Sequence, residues 1–140
     1  MVRANLSHEI SAFPFYFLDP TCPARGKDWW SRRLGPLIRQ VGVGIVARGV
    51  LCVEFIGYAS RSYRRMEHPL PSQEYALLLV RQAVARRAII IAMRGWSGWL
   101  RAAPELAAYP KLYRLNSSLN VTVSRGNCPV GFDQAIHALK

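Results

Sequence analysis

Acidic residues are scarce in this sequence of 140 residues. Eight Asp and Glu stand against nineteen Lys and Arg, which gives a formal net charge of +11 at pH 7 and a pI near 10.5. Most of the positive charge is arginine, whose guanidinium group forks onto phosphate and stacks on bases. The excess favours an anionic partner, and nucleic acid above all. The alternative is a soluble protein whose basic composition serves no particular ligand, since charge indicates affinity for polyanions and not a reaction.

Cysteine is also rare. Cys22, Cys52 and Cys128 are odd in number, widely spaced and free of any CxxC pair. The three histidines lack the spacing of a metal site. This pattern excludes a disulfide framework and a structural zinc site, and it fits a reducing cytosol. We predict a cytoplasmic protein with no metal and no cofactor.

Long apolar runs and familiar catalytic motifs are missing as well. No apolar run reaches the roughly 18 residues needed to cross a bilayer, and the opening MVRANLSHEIS lacks the apolar core of a signal peptide, so we expect no membrane association. There is no Walker loop, GxGxxG, GxSxG or HExxH. With 51% hydrophobic residues, the chain predicts an N-terminal segment over residues 1–12 and a single α/β domain over residues 13–140.

Residues 71–120 carry the clearest pattern of secondary structure. A helical pattern that begins near Ser72 leads into Arg87–Gly95, an apolar run that suits a strand covered on both faces. A second helix from Ser97 and a second strand over Leu112–Leu115 follow. Strand, helix and strand in this order predict a parallel pair. The first of these helices is apolar almost all round, so we expect it to be well buried.

Two more strands are predicted nearer the N-terminus, at Phe13–Leu18 and Gly49–Phe55. Between them, an apolar stripe at helical spacing, from Trp30 to Val41, predicts a helix packed on a sheet. Pro36 inside that helix predicts a kink or two short helices. Four βα units in sequence indicate the α/β class, as a three-layer α/β/α sandwich with a mostly parallel four-stranded sheet. A ligand would then bind at the carboxyl ends of the strands.

The loops that leave the four predicted strands are rich in arginine and aromatic residues. A guanidinium binds phosphate and a ring stacks on a base, so this composition predicts a single-stranded or flipped-base nucleic-acid site. Trp30 and Trp99 fall on helical stripes and are assigned to the core, which leaves Trp29 and Trp96 for contact. The predicted nucleic-acid-binding residues are Arg61, Arg64, Arg65, Arg94, Trp96 and Arg125. The opposite rim also carries charge, at Arg48, Arg86, Arg87 and Lys111.

The order of these elements and the motifs at the end of each strand resemble those of the uracil-DNA glycosylase superfamily. The first strand ends in Phe17-Leu18-Asp19-Pro20, similar to the family's Gly-x-Asp-Pro motif with the Gly replaced. The second contains Leu51-Cys52-Val53-Glu54, with a Glu where the family has a base-reading Asn. The third ends in Met93-Arg94-Gly95. After the fourth, Asn116-Ser117-Ser118-Leu119 stands in place of His-Pro-Ser-Pro, followed by Arg125-Gly126. The resemblance covers residues 13–139 and implies DNA as the partner.

The resemblance also implies that a base is flipped out of its stack and that the bond from sugar to base is hydrolysed. Asp19 would orient or activate water and stabilise the sugar cation, and Asn116 would donate to the leaving base. Glu54 would meet the edge of the base, and Tyr58 or Trp29 would stack on it. The substrate-binding residues that follow from the resemblance are Glu54, Tyr58, Trp29 and Ser118.

Each of these roles has a structural alternative. Asp19 before a proline is a common turn residue at the end of a strand, and Asn116 with Ser117 can cap a loop. Glu54 can pair with Arg94 or Arg125 across strand ends. The alternative function is a catalytically inactive nucleic-acid or protein interaction module with the same fold, and a third is a small-molecule or nucleotide-binding enzyme. The oligomeric state is not predicted.

Overall fold

A computed structural model describes residues 9, 11–23, 26–56 and 70–140 of the chain. In chain order its elements are a 3₁₀ helix at Tyr16–Leu18, α1 (Gly26–Val41), α2 (Val43–Gly49), α3 (Pro71–Ala85), β1 (Ile90–Ala92), α4 (Trp96–Ala102), a second 3₁₀ helix at Pro104–Ala108, β2 (Leu112–Arg114) and α5 (Pro129–Leu139). The described part of the chain is therefore mainly helical.

The strands β1 and β2 pair in parallel, which confirms the pairing predicted for this region. Ile90 lies opposite Leu112, and Ala92 lies opposite Arg114. Each strand has only three residues. Just beyond β1, Gly95 adopts a left-handed conformation with φ of 70° and starts α4.

The predicted three-layer α/β/α sandwich with a four-stranded sheet is wrong, because the sheet of the described residues has two strands. The first predicted strand turns back on itself instead. The Leu18 N–H donates to the Phe15 carbonyl at 2.9 Å, as in a 3₁₀ helix. Pro14 and Pro20 bracket this turn, and neither can donate to a sheet ladder. The aromatic run is buried by ring packing, with Phe15 edge-on to Trp30 at 5.1 Å.

The second predicted strand, Gly49–Phe55, is also not part of the sheet. Gly49 is the last residue of α2, and the Val50 N–H still donates to the Val46 carbonyl at 3.0 Å. Farther along, Cys52 and Val53 pack against two different hydrophobic clusters. The segment thus lies between two parts of the core. Its apolar side chains pack there, although their composition resembles that of a buried strand.

Helix α1 carries the predicted apolar stripe. Trp30, Leu34 and Leu37 are buried on its inner face, which confirms this part of the prediction. The helix runs as one element through Pro36, although a proline inside a helix removes one backbone hydrogen bond and costs about 3 kcal/mol. The three buried side chains on either side of the proline offset that cost, since each contributes roughly 1.5–3 kcal/mol by burial.

The core consists of three hydrophobic clusters. The largest joins α1, α2 and α5 and contains Leu18, Trp30, Leu34, Leu37, Val46, Ala47, Val123, Phe132 and Ile136. The second contains Val80, Ala103 and Leu106. The third contains Leu115, Val121 and Cys128, directly after β2. The half-buried side chains of Ile91 and Met93 pack on the first and third clusters, so β1 joins these two parts of the core.

Helix α3 is less buried than its composition predicts. Val80 faces the second cluster, but Tyr75 is 54% and Leu78 is 48% exposed. The prediction of a well-buried helix is therefore wrong for its outer face. In the described ranges, no helix combines the length and apolar character needed to span a membrane.

The end of α3 places a non-glycine residue in the left-handed region. Arg87 has φ of 57°. Its N–H donates to the Val84 carbonyl at 3.0 Å, and the Ala88 N–H donates to the Ala83 carbonyl at 2.9 Å. This is the Schellman pattern, in which glycine is the usual residue because a Cβ in that conformation costs roughly 1–2 kcal/mol.

Candidate nucleic-acid interface

Two arginines lie on one indole near the carboxyl end of β1. The Arg94 guanidinium carbon is 5.6 Å from the centroid of the Trp29 ring, and that of Arg33 is 5.3 Å away. Arg33 is one helical turn after Trp29 on α1, whereas Arg94 follows β1. The site therefore forms where the start of α1 packs beside the end of the sheet.

The position of Trp29 is fixed by its neighbours in the core. Its ring is edge-on to that of Trp30 at 4.7 Å, and Trp30 is buried in the first cluster. Trp29 itself is half-buried and packs against the first and third clusters. A cation over such a ring is favoured by roughly 0.5–2 kcal/mol, so the indole holds two positive charges at the surface.

Arg33 is held at several points but keeps one unsatisfied donor. Its carbonyl accepts the Val123 N–H at 2.9 Å, and its Nη1 lies 3.4 Å from the Thr122 hydroxyl oxygen. Its Nε is buried, and none of the described residues accepts a hydrogen bond from it. An unpaired buried donor on a charged group is costly.

A second arginine and tryptophan pair lies at the same end of the sheet. The Arg114 guanidinium carbon is 5.0 Å from the centroid of the Trp96 ring. Arg114 is the last residue of β2, and Trp96 is the first residue of α4. Trp96 is half-buried against the second cluster. The left-handed Gly95 allows the chain to turn from Arg94 into α4.

No carboxylate of the described residues forms an ion pair with these arginines. Within the described ranges, the ion pairs are Arg81 with Glu105 and Arg125 with Asp133. Arg33, Arg94 and Arg114 therefore keep their charge uncompensated at one end of the sheet. This arrangement suits an anionic ligand with groups that can stack, and it contains no nucleophile or general base.

Arg125, predicted to bind nucleic acid, forms an ion pair with Asp133 of α5. Its Nε and Nη2 donate to one carboxylate oxygen of Asp133 at 3.0 and 2.7 Å. Its guanidinium also lies 6.0 Å from the Phe132 ring centroid. The contact ties the loop after β2 to α5. Since both side chains are more than half exposed, the pair stabilises the fold only slightly.

Asp19 is engaged in its own turn. Its carboxylate accepts the Thr21 hydroxyl at 2.7 Å and the Thr21 N–H at 2.8 Å. These two hydrogen bonds, with the positive charge of Lys27 as a smaller cause, hold the pKa of Asp19 below its usual value. The geometry is that of the turn residue considered as the alternative in the sequence analysis.

Asn116, Glu54 and Ser118, also predicted as catalytic or substrate-binding residues, lie on other segments of the described chain. The Asn116 N–H donates to the Asn127 carbonyl at 2.8 Å, while the side chains of Asn116, Ser118 and Glu54 are exposed. In the part of the chain that the structure describes, no hydrogen bond, ion pair or ring contact joins Asp19, Glu54 and Asn116 to one another. Glu54 also forms no ion pair there with Arg94 or Arg125.

Four predicted residues, Tyr58, Arg61, Arg64 and Arg65, lie outside the described residues. Of the predicted set, the structure brings Trp29, Arg94 and Trp96 to one end of the sheet. Sequence analysis missed Arg33 and Arg114 as members of the site. Arg33 carried a signal, since the i and i+4 spacing from Trp29 places both side chains on one helix face.

Asn127 is a further residue that the sequence analysis missed. It is 6% exposed. Its side-chain oxygen accepts the Ser117 N–H at 2.9 Å, and its amide nitrogen donates to the carbonyls of Asn120 and Thr122. The signal was weak, because an Asn after Gly126 in a polar loop usually indicates only a turn.

Cys52 and Cys128 are unsuited to nucleophilic chemistry. Burial, with a smaller effect from the nearby Glu54 carboxylate, raises the pKa of Cys52 to about 12. Burial also raises the pKa of Cys128. Because the thiolate is the reactive form, neither thiol is activated at neutral pH.

Comparison of the chain with protein-family models, with curated proteins and with solved structures finds no match. What the protein does must therefore be argued from its own side chains. Two arginine and tryptophan groups lie at the carboxyl end of the sheet, one packed against the first and third clusters and the other against the second.

Proposed function

We propose that the protein binds single-stranded nucleic acid through Trp29, Arg33, Arg94, Trp96 and Arg114, which we call the arginine-tryptophan surface. The observation that carries the proposal is the placement of two guanidinium groups on one indole, with no carboxylate paired to either in the described ranges. DNA is the polymer that the sequence resemblance implies. A cytoplasmic location, expected from the cysteine pattern, belongs to the same proposal.

Electrostatics supports the proposal. The chain carries a formal charge of +11, and Arg33, Arg94 and Arg114 form no ion pair with the carboxylates of the described residues. A polyanion that binds there releases its condensed counterions, so its affinity falls as the salt concentration rises. The exposed guanidinium groups of Arg94 and Arg114 can donate charge-assisted hydrogen bonds to phosphate oxygens.

The tryptophans favour a single strand over a duplex. Bases of a single strand are free to stack on aromatic rings or on the planes of arginine guanidinium groups, whereas a duplex hides them. Trp29 and Trp96 are already covered by guanidinium groups. A base can therefore stack on the outer face of Arg94 or Arg114, or take the place of the arginine when the latter moves to a phosphate.

The test is fluorescence anisotropy with a labelled oligothymidylate of about twelve nucleotides at several salt concentrations. Loss of one phosphate contact lowers the slope of log K against log salt by about 0.7 for a single strand. We expect Arg94→Gln to cause that change and to weaken binding about tenfold. Duplex DNA of the same length should bind more weakly than the single strand.

Arg39→Gln is the matched control. It makes the same change of charge on an exposed side chain, ten residues after Trp29 and thus about 15 Å farther along α1. Its affinity should stay within about twofold of wild type. Equal losses in the two variants would show that only net charge matters, and salt-independent binding would remove the electrostatic argument altogether.

The proposal covers binding and not base excision. Asp19 is occupied by Thr21, and the described residues supply no contact between Asp19 and Asn116. An assay for abasic sites on single strands that contain uracil or damaged bases, with wild type and Asp19→Asn, checks this choice. Abasic product from wild type but not from the variant would restore the catalytic hypothesis.

A further inference from the structure

The opposite, amino end of the sheet carries a second group of cations. Arg86, Arg87 and Lys111 are all exposed there. The Lys111 Nζ lies 3.2 Å from the Arg87 carbonyl oxygen. In the ranges the structure describes, none of these three side chains is paired with a carboxylate. They form a compact positive patch that the arginine-tryptophan surface does not include.

The backbone around these cations is firmly held. The Ile90 N–H donates to the Lys111 carbonyl at 3.0 Å, and the Tyr109 hydroxyl donates to the Ala88 carbonyl. Arg87 is close enough to Tyr109 for its charge to lower the pKa of the phenol, although burial is the larger effect and raises that pKa. The three cations are therefore attached to a backbone that hydrogen bonds hold in place between the end of α3 and the starts of the two strands.

A structural role explains only part of this group. Lys111 caps the end of α3 through the Arg87 carbonyl, and cations near the end of a helix are favoured by its dipole. Neither argument requires the left-handed residue Arg87 to be an arginine. Its left-handed conformation, with φ of 57°, would be adopted without strain by glycine. Arginine at this position destabilises the fold, so its guanidinium needs another explanation.

We infer that Arg86, Arg87 and Lys111 form a second phosphate-binding subsite, which one nucleic-acid strand reaches together with the arginine-tryptophan surface. The inference rests on the proposed function, and it implies that the ligand is a polymer and not a single nucleotide. Residues 88 to 94 span about 20 Å at the rise of an extended chain. That distance corresponds to about six nucleotides at the 3.4 Å spacing of stacked bases.

Binding of two oligothymidylates, of about four and about twelve nucleotides, tests the inference. The short one reaches one subsite at a time, and the long one reaches both. We expect Arg87→Gly to weaken binding of the long oligomer about fivefold to tenfold and to change binding of the short one less than about twofold. Arg94→Gln should weaken both.

Stability separates this role from a folding defect. Arg87→Gly relieves the left-handed strain, so its melting temperature should rise by about 3 °C while binding of the long oligomer falls. Arg86→Gln, which leaves the backbone unchanged, should weaken binding of the long oligomer in the same direction.

Each alternative result has a distinct meaning. If Arg94→Gln weakens binding but Arg87→Gly binds the long oligomer as wild type does, the second subsite is refuted and the proposed function survives. If Arg94→Gln changes neither affinity, the proposed function fails and the subsite that rests on it fails as well.

Discussion

The two connections that leave the carboxyl end of the sheet differ in how their polar groups are satisfied. After β2, residues 116–128 form a loop in which Asn127 bonds to three backbone groups and Ser117 accepts the Asn120 N–H at 3.0 Å. After β1, the charge of Arg94 has only the face of Trp29 as a partner within the described residues.

This difference distinguishes a structural loop from the proposed binding surface. Both connections lie where a parallel pair presents its strand ends, the usual place for a ligand. Position alone therefore does not identify a site. In the loop after β2, Asn127 and Ser117 bond to backbone groups of the same loop, whereas the exposed guanidinium of Arg94 forms no ion pair in the described ranges.

The largest expected effect is the loss of stability when the side-chain hydrogen bonds of Asn127 are removed. Asn127→Ala leaves the Ser117 N–H and the carbonyls of Asn120 and Thr122 without their partner. An unsatisfied buried group costs roughly 1–3 kcal/mol, so we expect the free energy of unfolding to fall by about 2–4 kcal/mol. Urea denaturation measures it.

The matched control is Asn116→Ala, in the same loop. The Asn116 side chain is exposed and makes no hydrogen bond in the described ranges, so its removal should change stability by less than about 0.5 kcal/mol. If the two variants were equally stable, the distinction between the loop and the binding surface would lose its basis.

An intermediate effect, on binding and not on stability, is expected for Arg33→Met. The substitution keeps much of the aliphatic stem and removes the buried Nε that has no acceptor. Stability should therefore change by less than about 1 kcal/mol, while affinity for the single strand falls about tenfold. Denaturation and anisotropy on the same sample separate the two. A large loss of stability with unchanged affinity would show that Arg33 stabilises the fold and does not bind the ligand.

The smallest effect concerns Asp19, whose polar groups are also satisfied locally. Its pKa is below the ordinary 3.8 in the folded protein, so the unfolded chain binds its proton first. The stabilising contribution is complete above pH 3.8 and is lost as the pH falls through the lower, folded value. Thr21→Val removes the hydroxyl donor, and NMR titration should show the Asp19 pKa rising toward 3.8. An unchanged pKa would show that the Thr21 hydroxyl does not set it.

Part of the site was predictable from local patterns. The helical stripe of α1 separates Trp30, which is buried, from Trp29, which is half-buried. The order of strand, helix and strand predicts a parallel pair and places Arg94 and Trp96 at its carboxyl end. These predictions succeed because periodicity and connection rules act over a few residues.

The conformations of Phe13–Leu18 and Gly49–Phe55, which were predicted as strands, were not predictable in the same way. A short apolar run fits a turn, a helix end or a strand equally well, and only a partner with open hydrogen-bonding groups makes it a strand. For these segments the burial comes from Trp30 and from two separate clusters. Such partners are distant in sequence, so no local pattern reveals them.

The sequence by itself determined the positive charge, the amphipathic α1 and the parallel pairing of two short strands, because each follows from composition or from neighbouring residues. Only the tertiary structure decided that Arg33, Arg94 and Arg114 meet two tryptophans, and that Asn127 consumes the polar groups of the loop after β2. The physical reason is that hydrogen-bond satisfaction and charge compensation depend on which distant groups come within about 3–6 Å of one another.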